Sequence, residues 1–190
     1  KIEYPGPSVN ETSEFITRDL NTGRFDFFCG GITIPSRKIE SERLLRKGSN
    51  GIEFFTTQVL YNSSKIKKML KHYDDICKES KVLPRRILLS FAPVSSKKNI
   101  EFLKWLGVEI PNSTEENLIN KGTEITQESL KIATNILKDI LVNNEKLGIT
   151  VPIGLNVEHI MSYNFQYSIN MLQELSKIYR EFCIKTSLYD

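Results

Sequence analysis

Four short segments dense in aromatic and β-branched residues, set apart by stretches of helical periodicity, constrain this chain more than any other feature. They are residues 25–34 (FDFFCGGITI), 52–60 (IEFFTTQVL), 86–94 (RILLSFAPV) and 150–157 (TVPIGLNV). Each is a nearly continuous apolar run rather than a strict alternation, the pattern of parallel strands covered on both faces. Between them the periodicity changes. Residues 39–48 predict a short charged helix, and residues 63–80 a longer one with Ile66, Met69, Leu70, Tyr73, Ile76 and Cys77 on one stripe. Residues 97–106 read as a further short helix. Residues 126–147 carry Leu130, Ala133, Leu137, Ile140 and Leu141 on one face, with Thr126 placed as N-cap and Gly148 as stop. Residues 165–183 form the last helical stretch, and residues 11–20 a weaker one near the start.

Strands alternating with helices imply βαβ units and a parallel sheet joined by right-handed crossovers. Four such strands suit a small open sheet or half of an eight-stranded barrel, and the pattern does not choose between them. The Tyr4-Pro5-Gly6-Pro7-Ser8 opening is a loop with no element of its own, so the chain reads as a piece of something longer.

Composition narrows the function classes. The net charge is only +3, from 26 basic and 23 acidic side chains. That balance gives no basic stripe for nucleic acid, and the lysines, densest at Lys65-Lys67-Lys68-Lys71 and Lys97-Lys98, read as solvated helix faces. No apolar run is long enough to span a bilayer and no signal peptide is visible, so a cytoplasmic protein is expected. Cys29, Cys77 and Cys183 are odd in number and lack metal or redox spacing, so they read as reduced core residues. Trp105 reads as a packing residue. Asn-x-Ser/Thr matches at Asn10, Asn62 and Asn112 read as accidental, with Asn62 as a helix cap.

In parallel α/β folds ligands sit at the carboxyl ends of the strands. Those ends here are Thr33-Ile34-Pro35-Ser36-Arg37, Thr56-Thr57-Gln58, Ala92-Pro93-Val94-Ser95-Ser96 and Asn156-Val157-Glu158-His159. Gln58 is either a polar strand cap or a contact to an amide-bearing heterocycle, because its carboxamide both donates and accepts. Arg43 shares a helix face with Arg46 or Lys47, which is either a solvated face or a diphosphate holder. His159 beside Glu158 suits a tuned acid or base. No glycine-rich phosphate loop and no metal-ligand spacing appears.

Arg43-Leu44-Leu45-Arg46-Lys47 followed by Gly51-Ile52-Glu53-Phe54-Phe55-Thr56-Thr57-Gln58 resembles the Arg-Lys and Gly…Thr-Gln segment of the methylenetetrahydrofolate reductases. Ala92-Pro93-Val94-Ser95 resembles that family's Pro-Val-Ser turn, and Val108-Glu109-Ile110-Pro111 its V-x-I-P segment. The likeness runs over roughly residues 6–184. It implies a (β/α)8 TIM barrel, with residues 1–190 as the C-terminal half of a single barrel domain supplying strands five to eight. It implies FAD at the strand ends, NAD(P)H as electron donor, a C1-folate substrate and a place in methionine biosynthesis. Carried over by position, Thr33, Ile34, Glu40, Arg43, Arg46 and Lys47 are expected to hold the flavin. Gln58 is expected to touch folate and nicotinamide and to govern hydride transfer, with Lys97 and His159 on the substrate side.

The sequence also departs from the family. Lys97 stands where an aromatic residue usually follows Pro-Val-Ser, Ile34 where a tyrosine is usual, and His159 where an arginine is usual. The family's acidic glutamate comes from a first strand that this chain lacks. These departures support a second reading, a folate- or corrinoid-binding partner subunit without reductase activity, and a third, a structural or regulatory subunit. A half-barrel would be completed by the missing half or by homo-oligomerisation; no nucleic acid and no membrane partner is expected.

Overall fold

The computed structural model describes residues 6, 8–21 and 27–187. Most of the opening loop, residues 1–5 and 7, and the first two residues of the segment 25–34 lie outside the described residues. In chain order the elements are α1 (Val9–Asn21), β1 (Gly30–Thr33), α2 (Glu40–Ser49), β2 (Phe54–Thr57), α3 (Ser64–Glu79), β3 (Arg86–Phe91), α4 (Lys97–Trp105), α5 (Asn112–Asn120), α6 (Ile125–Leu147), β4 (Ile153–Val157) and α7 (Phe165–Ser187). The strands form one parallel sheet in the order β1-β2-β3-β4, with Gly31 opposite Phe55, Phe55 opposite Ile87 and Ile87 opposite Ile153.

Strand alternation then sorts the side chains onto two faces. Phe55, Ile87, Leu89, Phe91 and Ile153 point to one face, where they join Leu44, Ile66, Met69, Leu70, Leu137, Ile140, Met171 and Leu175 from α2, α3, α6 and α7 in the main core. Burying each of these side chains fully stabilises the fold by about 1.5–3 kcal/mol. The other face carries Gly30, Ile32, Phe54, Thr56, Arg86, Leu88, Ser90, Gly154 and Asn156. No described helix contributes to a core there, and Ile32 is 67% exposed. Parallel neighbours joined in sequential order by crossovers of one hand place every connecting helix on the same side.

This arrangement corrects the barrel expectation. The described residues form an open four-stranded α/β sheet with β1 and β4 as its edges, not half of a (β/α)8 TIM barrel. It also corrects the expectation that the strands are covered on both faces. The apolar runs come from two different sources. Phe55, Ile87 and Leu89 face the helices, whereas Phe54 and Leu88 lie flat along the uncovered face. A Cβ on Gly30 would fall 2.4 Å from the Phe54 ring, and one on Gly154 2.5 Å from Leu88 Cδ2. Phe54 therefore lies over Gly30 of β1 and Leu88 over Gly154 of β4, and Phe28 stacks on Phe54 with ring centroids 5.2 Å apart.

A second, smaller core caps the carboxyl end of the sheet. It unites Val59, Tyr61, Ala92 and Val94 from the strand exits with Ile100, Leu103, Val108, Ile110, Leu118 and Ile125. Helix α5, not distinguished in the sequence, supplies Leu118 to it.

Several local expectations hold and others fail. Gly148 ends α6 with φ 58 and ψ 39, the left-handed stop its position predicts. Asn62 accepts a hydrogen bond from the Ser64 N–H at 2.7 Å at the start of α3. Helix α6 begins at Ile125, so Thr126 lies inside it rather than capping it. Trp105 is not a packing residue: it is 78% exposed and lies against Phe102. Among the described residues none of the three cysteines forms a disulfide, and only Cys77 is buried; Cys29 is partly buried and Cys183 exposed. Among the described residues no helix is long and apolar enough to cross a membrane.

Candidate functional site

The rim at the carboxyl ends of the strands is built in two parts. On the β1–β2 side, Thr33 closes its strand fully buried and donates its hydroxyl to Glu40 Oε1 at 3.0 Å; the Ile34 N–H donates to the same oxygen at 3.1 Å. Glu40 is only 2% exposed, and its Oε2, also buried, has no hydrogen-bond partner among the described residues. The residue before it, Ile39, is held at φ 52 and ψ 30 and is 62% exposed. A β-branched side chain in the left-handed region is strained, and that backbone turn starts α2 with Glu40 directed inward. Glu40 lines an open pocket of about 710 Å³ together with Arg37, Lys65, Lys68 and His72.

Lys47, one helix length further along α2, donates its ammonium to the Ile32 carbonyl at 2.9 Å and stands over the Phe55 ring. Burial pushes its pKa down. Glu40 opposes that shift, while Arg37, Arg43 and Arg46 add to it. The structure thus sets Thr33, Ile34 and Glu40 together at the start of α2 and Lys47 near its end, with the three arginines near enough to be felt. Arg46 itself is exposed and Arg43 partly so.

Gln58 continues the β1–β2 ladder, its N–H donating to the Thr33 carbonyl at 2.9 Å. It lines a shallow cleft with Pro35, Ser36, Leu60, Lys65 and Glu109. Its Nε2 stands 3.8 Å from the point that a Cβ on Gly107 would occupy. Lys65 and Glu109 form an ion pair across this cleft, and that hydrogen bond holds the Glu109 carboxyl below its usual range.

On the β3–β4 side a buried amide network joins two turns. The Ser95 N–H donates to Asn99 Oδ1 at 2.9 Å, and the Ser95 hydroxyl gives its one proton to Asn164 Oδ1 at 2.6 Å while lying 2.9 Å from Asn99 Oδ1; Asn164 Nδ2 donates to the Pro93 carbonyl and to Asn99 Oδ1, each at 3.2 Å. Asn99 Nδ2 reaches the Tyr163 hydroxyl at 2.6 Å. Asn99 and Asn164 are 3% and 2% exposed, so the turns carrying Lys97 and His159 are fastened together. Lys97 is exposed and lies 3.9 Å from Glu101. His159 is exposed, packs edge-on to Phe165 and has Nδ1 3.5 Å from Ser168 Oγ.

Sequence reasoning missed one constellation. Ser90 and Asn156 are opposite one another in the β3–β4 register, on the uncovered face. Asn156 Nδ2 donates to Ser90 Oγ at 3.0 Å, and Glu158 follows β4 close to the same serine. Burial pushes the half-buried Glu158 carboxyl up, with Ser90 pulling the other way. The available signal was the period-two placement of Gly154, Asn156 and Glu158 against Ile153, Leu155 and Val157.

Fold and rim together define an open-sheet α/β protein whose strand carboxyl ends carry a polar surface. No protein-family model matches the chain, and no curated protein matches it. A solved structure from Clostridium thermocellum, described as an uncharacterized protein that binds two copies of 5-methyl-5,6,7,8-tetrahydrofolic acid, is similar to it. The TM-score is 0.75 and the sequence identity 28%. The match covers 88% of this chain and 60% of that one, so the chain spans less than two thirds of the solved protein's length.

Proposed function

We propose that this chain is the ligand-holding part of a cytoplasmic protein that binds reduced one-carbon folates at the carboxyl ends of its strands. The observation that carries this reading is the likeness to the Clostridium thermocellum protein described as binding 5-methyltetrahydrofolate, at 28% identity over 88% of this chain. The rim supports it. Gln58 offers a carboxamide able to donate and accept toward a heterocycle, in a cleft it shares with Lys65 and Glu109. Lys97 and His159, both exposed at the strand exits, are assigned to the substrate side. The test is calorimetric titration with 5-methyltetrahydrofolate. Binding in the micromolar range, weakened about tenfold or more in Gln58→Ala through loss of a paired amide contact, supports the reading. No heat at millimolar ligand removes it.

A second reading, the flavin-dependent reductase of the methylenetetrahydrofolate reductase type, is favoured by one feature: the buried Oε2 of Glu40, without a partner among the described residues. An orphaned acceptor of that kind suits a ligand hydroxyl. Glu40, Arg43, Arg46 and Lys47 would hold the FAD, which when bound would relay hydride from NAD(P)H to the folate. Reconstitution with FAD followed by gel filtration decides it. Retained yellow colour that Lys47→Ala abolishes supports this reading, and a colourless protein that still binds folate leaves the binding function alone.

A further inference from the structure

The cations around the Glu40 pocket are unequally matched. Arg37, Lys65, Lys68 and His72 all line it. Lys65 pairs with Glu109, and His72 Nε2 lies 4.0 Å from Glu42 Oε1. Arg37 and Lys68 are exposed and have no ion-pair partner among the described residues. Glu40 pairs with neither. Its Oε1 takes the Thr33 hydroxyl and the Ile34 N–H, and its buried Oε2 has no hydrogen-bond partner among the described residues. The pocket thus asks two things of an occupant: anionic groups at its exposed mouth, and a hydrogen-bond donor at the buried wall where an acceptor is left unmet. Position adds a third. Pro35, Ser36 and Lys65 line both this pocket and the cleft of Gln58, so the two adjoin at the exits of β1 and β2. One occupant can therefore reach from one into the other.

A folate has these parts in this order. Its heterocycle is joined through an aminobenzoyl ring to a glutamate, which carries two carboxylates and is attached by an amide N–H. Resting on the folate-binding reading, we propose that the pocket between the start of α2 and the first turns of α3 takes the glutamate tail of the folate. Arg37 and Lys68 meet its carboxylates, Glu40 Oε2 accepts from its amide N–H, and Gln58 faces the heterocycle. Exposed charge pairs are individually weak, because water and salt screen them. The pocket therefore selects for the tail rather than supplying most of the binding energy.

The experiment is calorimetry with 5-methyltetrahydrofolate and with the same compound lacking its glutamate. It compares wild type, R37A/K68A and a charge control, K121A/K146A, whose two lysines are exposed and line no part of the pocket. Circular dichroism checks folding. The wild type is expected to prefer the tailed ligand by roughly tenfold, and to lose most of that preference at high salt. R37A/K68A is expected to bind the two ligands within about threefold of one another, and the control to keep the wild-type preference. Equal binding of both ligands by the wild type, or a preference that survives in R37A/K68A, overturns the tail pocket and leaves the folate reading standing. A preference lost equally in the control belongs to the overall charge of the protein and overturns the pocket as well. Absence of wild-type binding to either ligand overturns both readings. If R37A/K68A fails to fold, the preference is read in R37Q and K68Q singly, where an undiminished value in both overturns the proposal.

Discussion

Asp74 on α3 accepts two hydrogen bonds from Thr150, one from its N–H at 2.8 Å and one from its hydroxyl at 2.7 Å, and so fixes the entry into β4 from 76 residues away. Its second oxygen takes the Lys78 ammonium at 2.5 Å, and the side chain is 1% exposed. Burial opposes ionisation of Asp74, but Lys78 and Thr150 outweigh it and hold the carboxyl below its ordinary value. A carboxyl with a depressed folded-state pKa contributes stability that is fully present above the unfolded value of about 3.9 and is lost as the pH falls through the folded value. Urea titrations from pH 7 downward should show the wild type losing this contribution below about pH 4. Asp74→Ala should cost about 2–4 kcal/mol at neutral pH, since it strands the Thr150 donors. A flat difference between the two proteins across that pH range would contradict the assignment.

The two glycines on the uncovered face predict unequal costs. At Gly30 an added Cβ meets three atoms of the Phe54 ring within 2.8 Å, and that ring is itself stacked on Phe28. At Gly154 the close atom is Leu88 Cδ2, the free end of a rotatable side chain. Gly30→Ala should therefore destabilise by about 1–3 kcal/mol through overpacking. Gly154→Ala should cost distinctly less, because Leu88 can change rotamer. Parallel denaturant curves rank the pair.

Ile39 offers a stabilising change. Its backbone lies at φ 52 while its side chain is 62% exposed, so little packing is lost on substitution. Ile39→Gly removes roughly 1–2 kcal/mol of left-handed strain, against roughly 0.5–1 kcal/mol of added chain entropy in the unfolded state. A net gain of about 0.5–1 kcal/mol is expected, read as a rise in the urea midpoint without a change in slope.

Asn164 is the hub of the β3–β4 rim. It donates to the Pro93 carbonyl and to Asn99, and accepts from the Ser95 hydroxyl at 2.6 Å. Asn164→Ala leaves these buried groups short of partners and should cost about 1–3 kcal/mol. Amide hydrogen exchange should rise first in the 93–99 turn. If exchange instead rises evenly over the molecule, the network is not local to the rim.

Gln58 and Glu158 show how differently two rim residues were legible. Gln58 ends a strand whose composition marks it as a strand, so its place on the rim could be read directly. Glu158 also ends a strand, but its partial burial near Ser90, 68 residues earlier in the chain, could not be read from the sequence. Glu40 is similar: its position on a short charged helix was legible, but the buried, half-satisfied carboxylate against Thr33 was not.

What the sequence by itself determined was local. Apolar runs placed the four strands, helical stripes placed α2, α3, α4, α6 and α7, and Gly148 set its stop, because periodicity and backbone preference act over a few residues. Only the tertiary structure decided how many strands share the sheet, which face the helices cover, and which carboxyls end up buried. A run such as Ile52 to Phe55 reads the same in an open sheet and in a barrel. The apolar Phe54 gives no sign, by its chemistry alone, that it lies on the uncovered face over Gly30. Those outcomes rest on contacts between residues far apart in sequence, whose energies no local pattern encodes.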